Sequence, residues 1–171
     1  MCRHVSPQWA RNRDKGAKMS RKPFAADQLL KLDNQICFAV YSATHAFNRV
    51  YKPLLDRLGL TYPQYLVMLV LWERDGVPLK DIGERLFLDS GTLTPLLKRL
   101  EAAQLLKRTR STEDERQVLI ALTAQGQALK EKARSVPMSI LAASDCSVGE
   151  LTAMKNEIVA LRDRLNAAVG E

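Results

Sequence analysis

The sequence predicts a mainly α-helical fold with one small β-hairpin. Apolar residues recur at steps of three and four over much of the chain, which is the period of a helix that buries one face. Two stretches rich in β-favouring residues, "LLKRTRS" and "RQVLIALT", flank the charged segment "TEDE", as two strands flank a turn. The elements can therefore be assigned in order along the chain.

The first predicted helix begins at about Asp27 and has a single apolar stripe. Pro53 can bend this helix or restart it, and Gly59 closes it. A helix of this length exceeds what its own small domain can cover, so we expect part of the stripe to meet another helix. The stripe consists of Leu29, Leu32, Ile36, Ala39 or Val40, Ala43, Phe47, Val50 and Leu54.

The second predicted helix forms the core, because "YPQYLVMLVLWER" is apolar nearly all round. Thr61 can cap it, with Pro63 in its first turn. The segment "DGVP" then ends it. A short amphipathic helix follows and ends at "LDSG"; its apolar positions are Leu79, Ile82 and Leu86.

The next helix has one apolar face, formed by Leu93, Leu96, Leu97 and Leu100. Pro95 is tolerated only near a helix start, so the helix is predicted to begin at about Thr92 or to bend there.

Two helices are predicted after the hairpin. Thr123 caps a helix that runs towards Val136, where Pro137 ends or kinks it. The last helix has a narrow stripe typical of a coiled-coil seam, formed by Leu151, Met154, Ile158, Leu161 and Leu165.

Composition indicates an intracellular globular protein. The chain has 171 residues, enough for one domain with a core, and no stretch approaches the ~20 apolar residues of a membrane span. No secretory signal is recognisable, so we expect a cytoplasmic protein. Cys2, Cys37 and Cys146 are too few and too scattered for a disulfide framework. Two histidines among dispersed cysteines offer no metal-ligand spacing, and no cofactor is indicated.

Residues 1–26 are predicted to form a basic, disordered extension. Residues 1–18 hold five Lys and Arg residues against one Asp, so they contribute most of the net charge of +7. The net charge of the whole chain is therefore weak evidence for an anionic partner. Met19 is a candidate for the natural start, which would make residues 1–18 an upstream extension.

The order of the central elements is that of a winged helix-turn-helix, spanning residues 61–123. A core helix, a short helix, a sharp turn, a helix with a polar start and a basic hairpin follow one another, and such a recognition helix enters the major groove of DNA. The alternative is a solvated charged face on an all-α domain. The candidate DNA contacts are Ser90, Thr92, Thr94, Lys98 and Arg99 of the helix and Lys107, Arg108, Arg110 and Arg116 of the hairpin.

The segment "LDSGTLTPLLKRLEAAQLLKRTRSTEDERQVLIALTAQG" resembles the DNA-binding core of MarR-family repressors. It includes a D-x-R motif at Asp114 and Arg116 and an L-T-x-x-G motif that ends at Gly126. The stretches "LDNQICFAVY" and "YKPLLDRLGLTYPQYL" are similar to the organic-hydroperoxide-sensing branch (OhrR). The resemblance covers nearly everything from Leu32 to the last predicted helix, and the predicted MarR-type domain spans residues 27–171.

This resemblance implies a homodimer formed by helices in residues 27–58 and 137–171, with residues 123–136 as the connecting helix. The apolar stripes of those helices agree, although pairing of the two helices within one chain stays open. Two recognition helices would then meet half-sites ~34 Å apart on a pseudo-palindromic double-stranded operator. The family also implies that Arg116 enters the minor groove and Asp114 orients it, and that Ser90, Thr92 and Arg99 contact DNA.

Cys37 is either a small apolar core residue or a redox sensor. Tyr41 lies four residues later on the same helix face, within reach of the sulfur. The resemblance favours the sensor, because Cys37 matches the family's sensing motif and Tyr51 and Tyr62 match phenols contributed by the other subunit. Phenols that donate to the sulfur favour the reactive thiolate, which an organic hydroperoxide oxidises to a sulfenic acid. Loss of that charge would release the repressor from DNA.

The fate of the sulfenic acid stays open. Some family members resolve it with a second cysteine on the helix after the wing, where this chain has Ala142. Cys146 is one turn further on and could substitute on roughly the same face; the alternative is a mixed disulfide with a small thiol. Two further functions are considered: a MarR-type repressor that responds to a phenolic ligand, and a thiol peroxidase.

Overall fold

The computed structural model describes residues 26–110, 114 and 116–170. The predicted extension, with Cys2 and Met19, therefore lies outside the described residues except for Ala26. The chain divides into two units, residues 1–43 and residues 44–171. Helix α2 (Ile36–Asp56) contains the boundary.

The first helical stripe does not form one helix, so that prediction is wrong. Helix α1 spans only Ala26–Leu29, a single 3₁₀ turn covers Leu32–Asn34, and α2 begins at Ile36. Polar side chains cause the break: Asn34 donates to the carbonyl of Gln28 at 2.7 Å, and Gln35 donates to the carbonyl of Leu29. These bonds satisfy carbonyls that a continuing helix would have used.

The core helix is confirmed as α3 (Tyr62–Glu73), and seven of its residues are buried. Thr61 is its N-cap and Pro63 lies in its first turn. The backbone N–H and the hydroxyl of Thr61 both donate to the buried side chain of Gln64, at 2.8 and 3.1 Å. Pro53 lies inside α2 without ending it, and Gly59 adopts a positive φ of 69° in the turn before α3.

The helix-turn-helix consists of α4 (Leu79–Leu86) and α5 (Ser90–Ala102). The turn fits closely against α4, because a Cβ on Gly83 would lie 2.8 Å from the carbonyl oxygen of Leu88. Helix α5 begins at Ser90, two residues before the predicted start at Thr92. The side chain of Asp89 caps it from outside, so Pro95 lies in the second turn.

Three antiparallel strands form the wing, in the order β1 (Val77–Pro78), β3 (Val118–Leu122) and β2 (Leu106–Arg110). The β2–β3 hairpin confirms the prediction, with Leu106 opposite Leu122. Strand β1 was not predicted, because two residues are too short for an alternating pattern. One Oδ1 atom of Asp75 fixes it, accepting from the N–H of Gly76 at 2.8 Å and of Leu122 at 2.7 Å.

The core lies between α3, the helix-turn-helix and the sheet. Ile82 of α4, Leu93 and Leu97 of α5 and Ile120 of β3 are fully buried. Trp72 of α3 joins this core to the following helix, because its Nε1–H donates to the carbonyl of Gly126 at 2.9 Å.

Three helices complete the chain: α6 (Ala124–Ala133), α7 (Ser135–Ser144) and α8 (Val148–Val169). The cap by Thr123 is confirmed, since its hydroxyl accepts from Gly126 N–H at 3.0 Å. The predicted helix to Val136 ends instead at Ala133, because Pro137 is accommodated in the first turn of α7, where no N–H donor is needed. The last predicted helix is confirmed as α8.

Gly126→Ala should lower the free energy of unfolding by roughly 3 kcal/mol, the upper part of the range for overpacking. A Cβ at this position would lie 1.9 Å from the carbonyl oxygen of Leu105, which is backbone and cannot swing away. Urea titration measures the change. Gly149→Ala is the matched control, because its Cβ would meet only the Ser147 hydroxyl, at 3.9 Å. Equal losses in both variants would contradict the role assigned to the close approach.

Candidate nucleic-acid interface and sensing cysteine

Helix α5 separates its leucines from its polar residues. Leu93, Leu97 and Leu100 are buried at 0–1% exposure, so they fix the rotation of the helix about its axis. The predicted contacts on the other side are exposed, except for the half-buried Thr94; they are Ser90, Thr92, Lys98 and Arg99. This arrangement leaves hydroxyls at the start of α5 and two cations further along it accessible to a duplex.

The start of α5 is organised by Asp89. Its carboxylate accepts from the backbone N–H of Thr92 at 2.8 Å and from the Thr92 hydroxyl at 2.9 Å. These two hydrogen bonds hold the pKa of Asp89 below its usual value. The Thr92 hydroxyl donates within the protein, so towards DNA it is available as an acceptor.

Arg108 of the wing is paired with Glu101 of α5. The guanidinium donates to Oε2 of Glu101 through Nε and Nη2, both at 2.7 Å, and the Arg108 backbone N–H donates to Oε1 at 3.0 Å. This pairing keeps the pKa of Glu101 low, chiefly through the side-chain hydrogen bond. The predicted DNA contact at Arg108 stays a prediction, but the structure also gives this residue a structural role, because it ties strand β2 to the recognition helix.

The far end of the wing is shaped by Asp114. Its carboxylate accepts from the backbone N–H of Arg116 at 3.0 Å and from the Gln117 side chain at 3.2 Å. Residues 111–113 and 115, which include most of the predicted turn, lie outside the described residues. Lys107, Arg110 and Arg116 are exposed, as a contact with phosphates would require.

Lys80 is a candidate that sequence reasoning missed. It lines a groove of about 410 Å³ together with Arg116 at the base of the wing. Lys80 lies in the first turn of α4, just after "DGVP". Its proximity to the wing depends on β1, which was not predicted from the sequence.

Cys37 is an exposed free thiol in the first turn of α2. Tyr41 lies one turn later and is 62% exposed. The rings of Phe38 and Tyr41 stack with centroids 6.5 Å apart. Cys37 is therefore not packed into the core of unit 1, and its role as a sensor stays a prediction.

In unit 2, Tyr51 and Tyr62 are brought together with Tyr65. The ring centroids lie 4.8 Å apart for Tyr51 and Tyr62 and 6.1 Å apart for Tyr51 and Tyr65. Burial, followed by the proximity of the other two phenols, raises the pKa of Tyr51 to about 12. Burial also raises the pKa of Tyr62 and Tyr65. All three side chains are therefore neutral hydroxyl donors at physiological pH.

Tyr51 and Tyr62 also line a pocket of about 250 Å³ with Asn48, Lys52 and Leu60. Sequence reasoning did not include Tyr65, which falls inside the apolar run of α3. Its spacing of three from Tyr62 was the available signal.

Cys146 does not share a helix face with Ala142, so that prediction is wrong. Helix α7 ends at Ser144, and Asp145 adopts a left-handed conformation with φ 50°. Cys146 therefore lies in the link to α8, half-buried, with its Sγ 3.2 Å from the Ser144 carbonyl oxygen. Whether it resolves a sulfenic acid stays a prediction.

Comparisons with known proteins agree with this architecture. The family model of the transcriptional regulator SarA/Rot matches residues 49–133. The HTH-type transcriptional regulator TtmR of Methylorubrum extorquens (strain PA1) is 51% identical over 144 residues, covering 84% of this chain and 74% of the relative. The organic hydroperoxide resistance transcriptional regulator of Bacillus subtilis (strain 168) is 50% identical over 137 residues, covering 80% of this chain and 93% of the relative.

The chain belongs to the MarR family of transcriptional regulators, in the branch of the organic hydroperoxide resistance regulators. Among solved structures, reduced AbfR bound to DNA is 38% identical with a TM-score of 0.66, covering 82% of this chain and 96% of AbfR. AbfR comes from Staphylococcus epidermidis. The mainly helical fold with its three-stranded wing is thus that of MarR regulators.

Two structural features are absent from the part of this MarR protein that the structure describes. Over the residues that the structure describes, no helix combines the length and apolar character needed to cross a bilayer. Within those same residues, His, Cys, Asp and Glu side chains do not form a group of three that could hold a metal ion.

The tyrosine cluster should make stability depend on alkaline pH. In the unfolded chain Tyr51 ionises near pH 10, whereas in the folded protein its pKa is about 12. The contribution of Tyr51 to stability should be fully present below pH 10 and fall as the pH rises towards 12. We expect the difference in unfolding free energy between wild type and Tyr51→Phe to change over this interval. A difference that stays constant from pH 9 to 12 would contradict the raised pKa.

Proposed function

We propose that this MarR-family protein is a DNA-binding transcriptional repressor that organic hydroperoxides release through oxidation of Cys37. The observation that carries the proposal is the exposed free thiol of Cys37 in a chain whose relative of 50% identity is an organic hydroperoxide resistance regulator. Exposure allows a peroxide to reach the sulfur. The helix-turn-helix and wing form the DNA-binding module whose affinity oxidation of the thiol would lower.

The DNA-binding form is proposed to be a homodimer on a pseudo-palindromic double-stranded operator. Exposed apolar side chains on α8 support an interface there; they are Met154, Ile158 and Leu165, each about half exposed. A two-fold axis would place the two α5 helices about one turn of duplex, ~34 Å, apart. In each half, Ser90, Thr92, Thr94, Lys98 and Arg99 would face the major groove, and Arg110 and Arg116 would reach flanking phosphates or the minor groove, with Asp114 shaping the backbone.

The proposed chemical step is a two-electron oxidation of sulfur. The Cys37 thiolate attacks the terminal oxygen of the hydroperoxide, the O–O bond breaks, and the departing alkoxide takes a proton from water to become an alcohol. Sulfur is oxidised to sulfenic acid and the peroxide is reduced. The position of Cys37 in the first turn of α2 supports the anion, because the positive end of the helix dipole stabilises nearby negative charge.

The tyrosines are proposed to convert this step into release from DNA. Tyr41, Tyr51 and Tyr62 would donate hydrogen bonds to the thiolate, the last two from the partner subunit. The raised pKa of Tyr51 and Tyr62 supports this role, because a phenol must be protonated to donate. A sulfenic acid lacks the full negative charge that these donors stabilise, so oxidation would weaken the contacts across the dimer and shift the recognition helices.

The sulfenic acid would react onwards with Cys146 or with a small cellular thiol. A position in the link between α7 and α8 rather than within a helix supports access to Cys146, although its side chain is half-buried.

The protein would act in the cytoplasm, and not as an enzyme, since its relatives are transcriptional regulators. A MarR repressor that responds to a phenolic ligand in the pocket beside Tyr51 is the second candidate, supported by the volume of that pocket.

Cys37→Ser should keep DNA binding and lose release by an organic hydroperoxide, because the serine hydroxyl can still accept hydrogen bonds from the phenols but cannot be oxidised to a sulfenic acid. A gel shift on the duplex upstream of the protein's own reading frame, with and without cumene hydroperoxide, measures both. Cys146→Ser is the matched control and should still be released. Release of Cys37→Ser by the peroxide would reject the proposal. Non-reducing gels of oxidised wild type test Cys146 separately, since absence of an intersubunit crosslink means that Cys146 does not resolve the sulfenic acid.

Arg116→Ala should weaken DNA binding by about tenfold or more, because it removes an exposed guanidinium from the wing. Fluorescence anisotropy at several salt concentrations measures the affinity and its salt dependence. Arg134→Ala is the control: it removes the same charge from an exposed residue paired with Glu131 outside the wing. Unchanged affinity of Arg116→Ala would remove the wing tip from the DNA interface.

A further inference from the structure

Phe87 holds an unfavourable backbone conformation in the turn between α4 and α5. Its φ of 55° and ψ of 42° are left-handed, a region that glycine adopts easily and bulky residues avoid. The turn requires this conformation, because the N–H of Phe87 bonds to the carbonyl of Glu84 and that of Leu88 to the carbonyl of Gly83. An aromatic residue is thus placed where glycine would fold with less strain.

Burial does not explain this choice, because Phe87 is 64% exposed. Its ring instead contacts a cation. The guanidinium carbon of Arg162, from α8, lies 4.6 Å from the ring centroid, which is cation–π geometry. The same guanidinium is held on α8 by Asp163, through Nε at 2.9 Å and Nη2 at 2.7 Å to one carboxylate oxygen. The guanidinium of Arg162 therefore contacts both a residue of its own helix and the turn.

We propose that Arg162 and Phe87 are positioning residues for DNA recognition: their contact ties α8 to the turn that precedes the recognition helix. Strain at an exposed residue persists when the side chain has a function, and the stacked cation identifies that function. This inference rests on the proposed DNA-binding function and extends it. Helix α8 is the proposed dimerisation helix, so the contact would transmit its position within the dimer to the start of α5.

Phe87→Gly separates this role from a contribution to stability. Glycine relieves the left-handed strain, so the unfolding free energy should stay the same or rise. The ring is lost, so affinity for the duplex upstream of the reading frame should fall by about 2- to 5-fold per protomer. This fold-change corresponds to the free energy of an exposed cation–π contact. A residue with a merely structural role would move stability and affinity in the same direction. Phe87→Tyr keeps a π face and should restore the affinity.

Arg162→Gln tests the contact from the other helix and should lower affinity to the same extent. The double variant Phe87→Gly/Arg162→Gln should bind no more weakly than either single variant, because both remove one interaction. Arg164→Gln is the matched control, with the same charge change on an exposed residue of α8. The salt dependence of binding should be unchanged in Arg162→Gln, whereas loss of a phosphate contact would reduce its slope by about 1 per protomer.

Three results would overturn the inference while the proposed function stands: wild-type affinity in Phe87→Gly and Arg162→Gln, additive losses in the double variant, or an equal loss in Arg164→Gln. A lower salt slope in Arg162→Gln would also overturn it, by making Arg162 a direct DNA contact. Failure of wild type itself to bind the duplex would reject the proposed function and this role with it. Far-ultraviolet circular dichroism of each variant checks that the fold is retained.

Discussion

The packing of the leucine face of α5 is the constraint on which the DNA-binding surface depends. Leu93, Leu97 and Leu100 are buried so completely that the helix cannot rotate without exposing them. This fixes which side chains point outward, and the close approach of Gly83 to the turn fixes where the helix starts. The hydroxyls and cations of α5 therefore face outward because its leucines are buried.

Acidic side chains organise the backbone of this basic surface. Asp75 holds β1 to β3, Asp89 caps α5, Glu101 ties β2 to α5, and Asp114 shapes the end of the wing. Each accepts at least one backbone N–H. Carboxylates would repel phosphates if they pointed outward, so their engagement with the backbone both rigidifies the wing and reduces that repulsion. The net charge alone gives no indication of this arrangement.

The pattern of apolar residues predicted helices α3, α5 and α8, and β-favouring residues on either side of a charged turn predicted the hairpin of β2 and β3. Prediction failed where single polar residues determine where a helix ends or the chain turns. Asn34 and Gln35 end α1 by binding its carbonyls, and Asp145 turns the chain before Cys146; neither alters the spacing of apolar residues. The family motif located Cys37, Tyr51 and Tyr62, but Lys80 and the Phe87–Arg162 contact depend on tertiary proximity that no local pattern contains.

The two edges of the wing sheet differ in the residues that keep further strands from pairing with them. One edge is β1, where Pro78 lacks an N–H and cannot donate to a further strand. The other is β2, which carries Lys107, Arg108 and Arg110. Both devices discourage edge-to-edge strand pairing. The wings of regulators bound at adjacent sites would thus not pair edge to edge into a shared sheet, even at high local concentration.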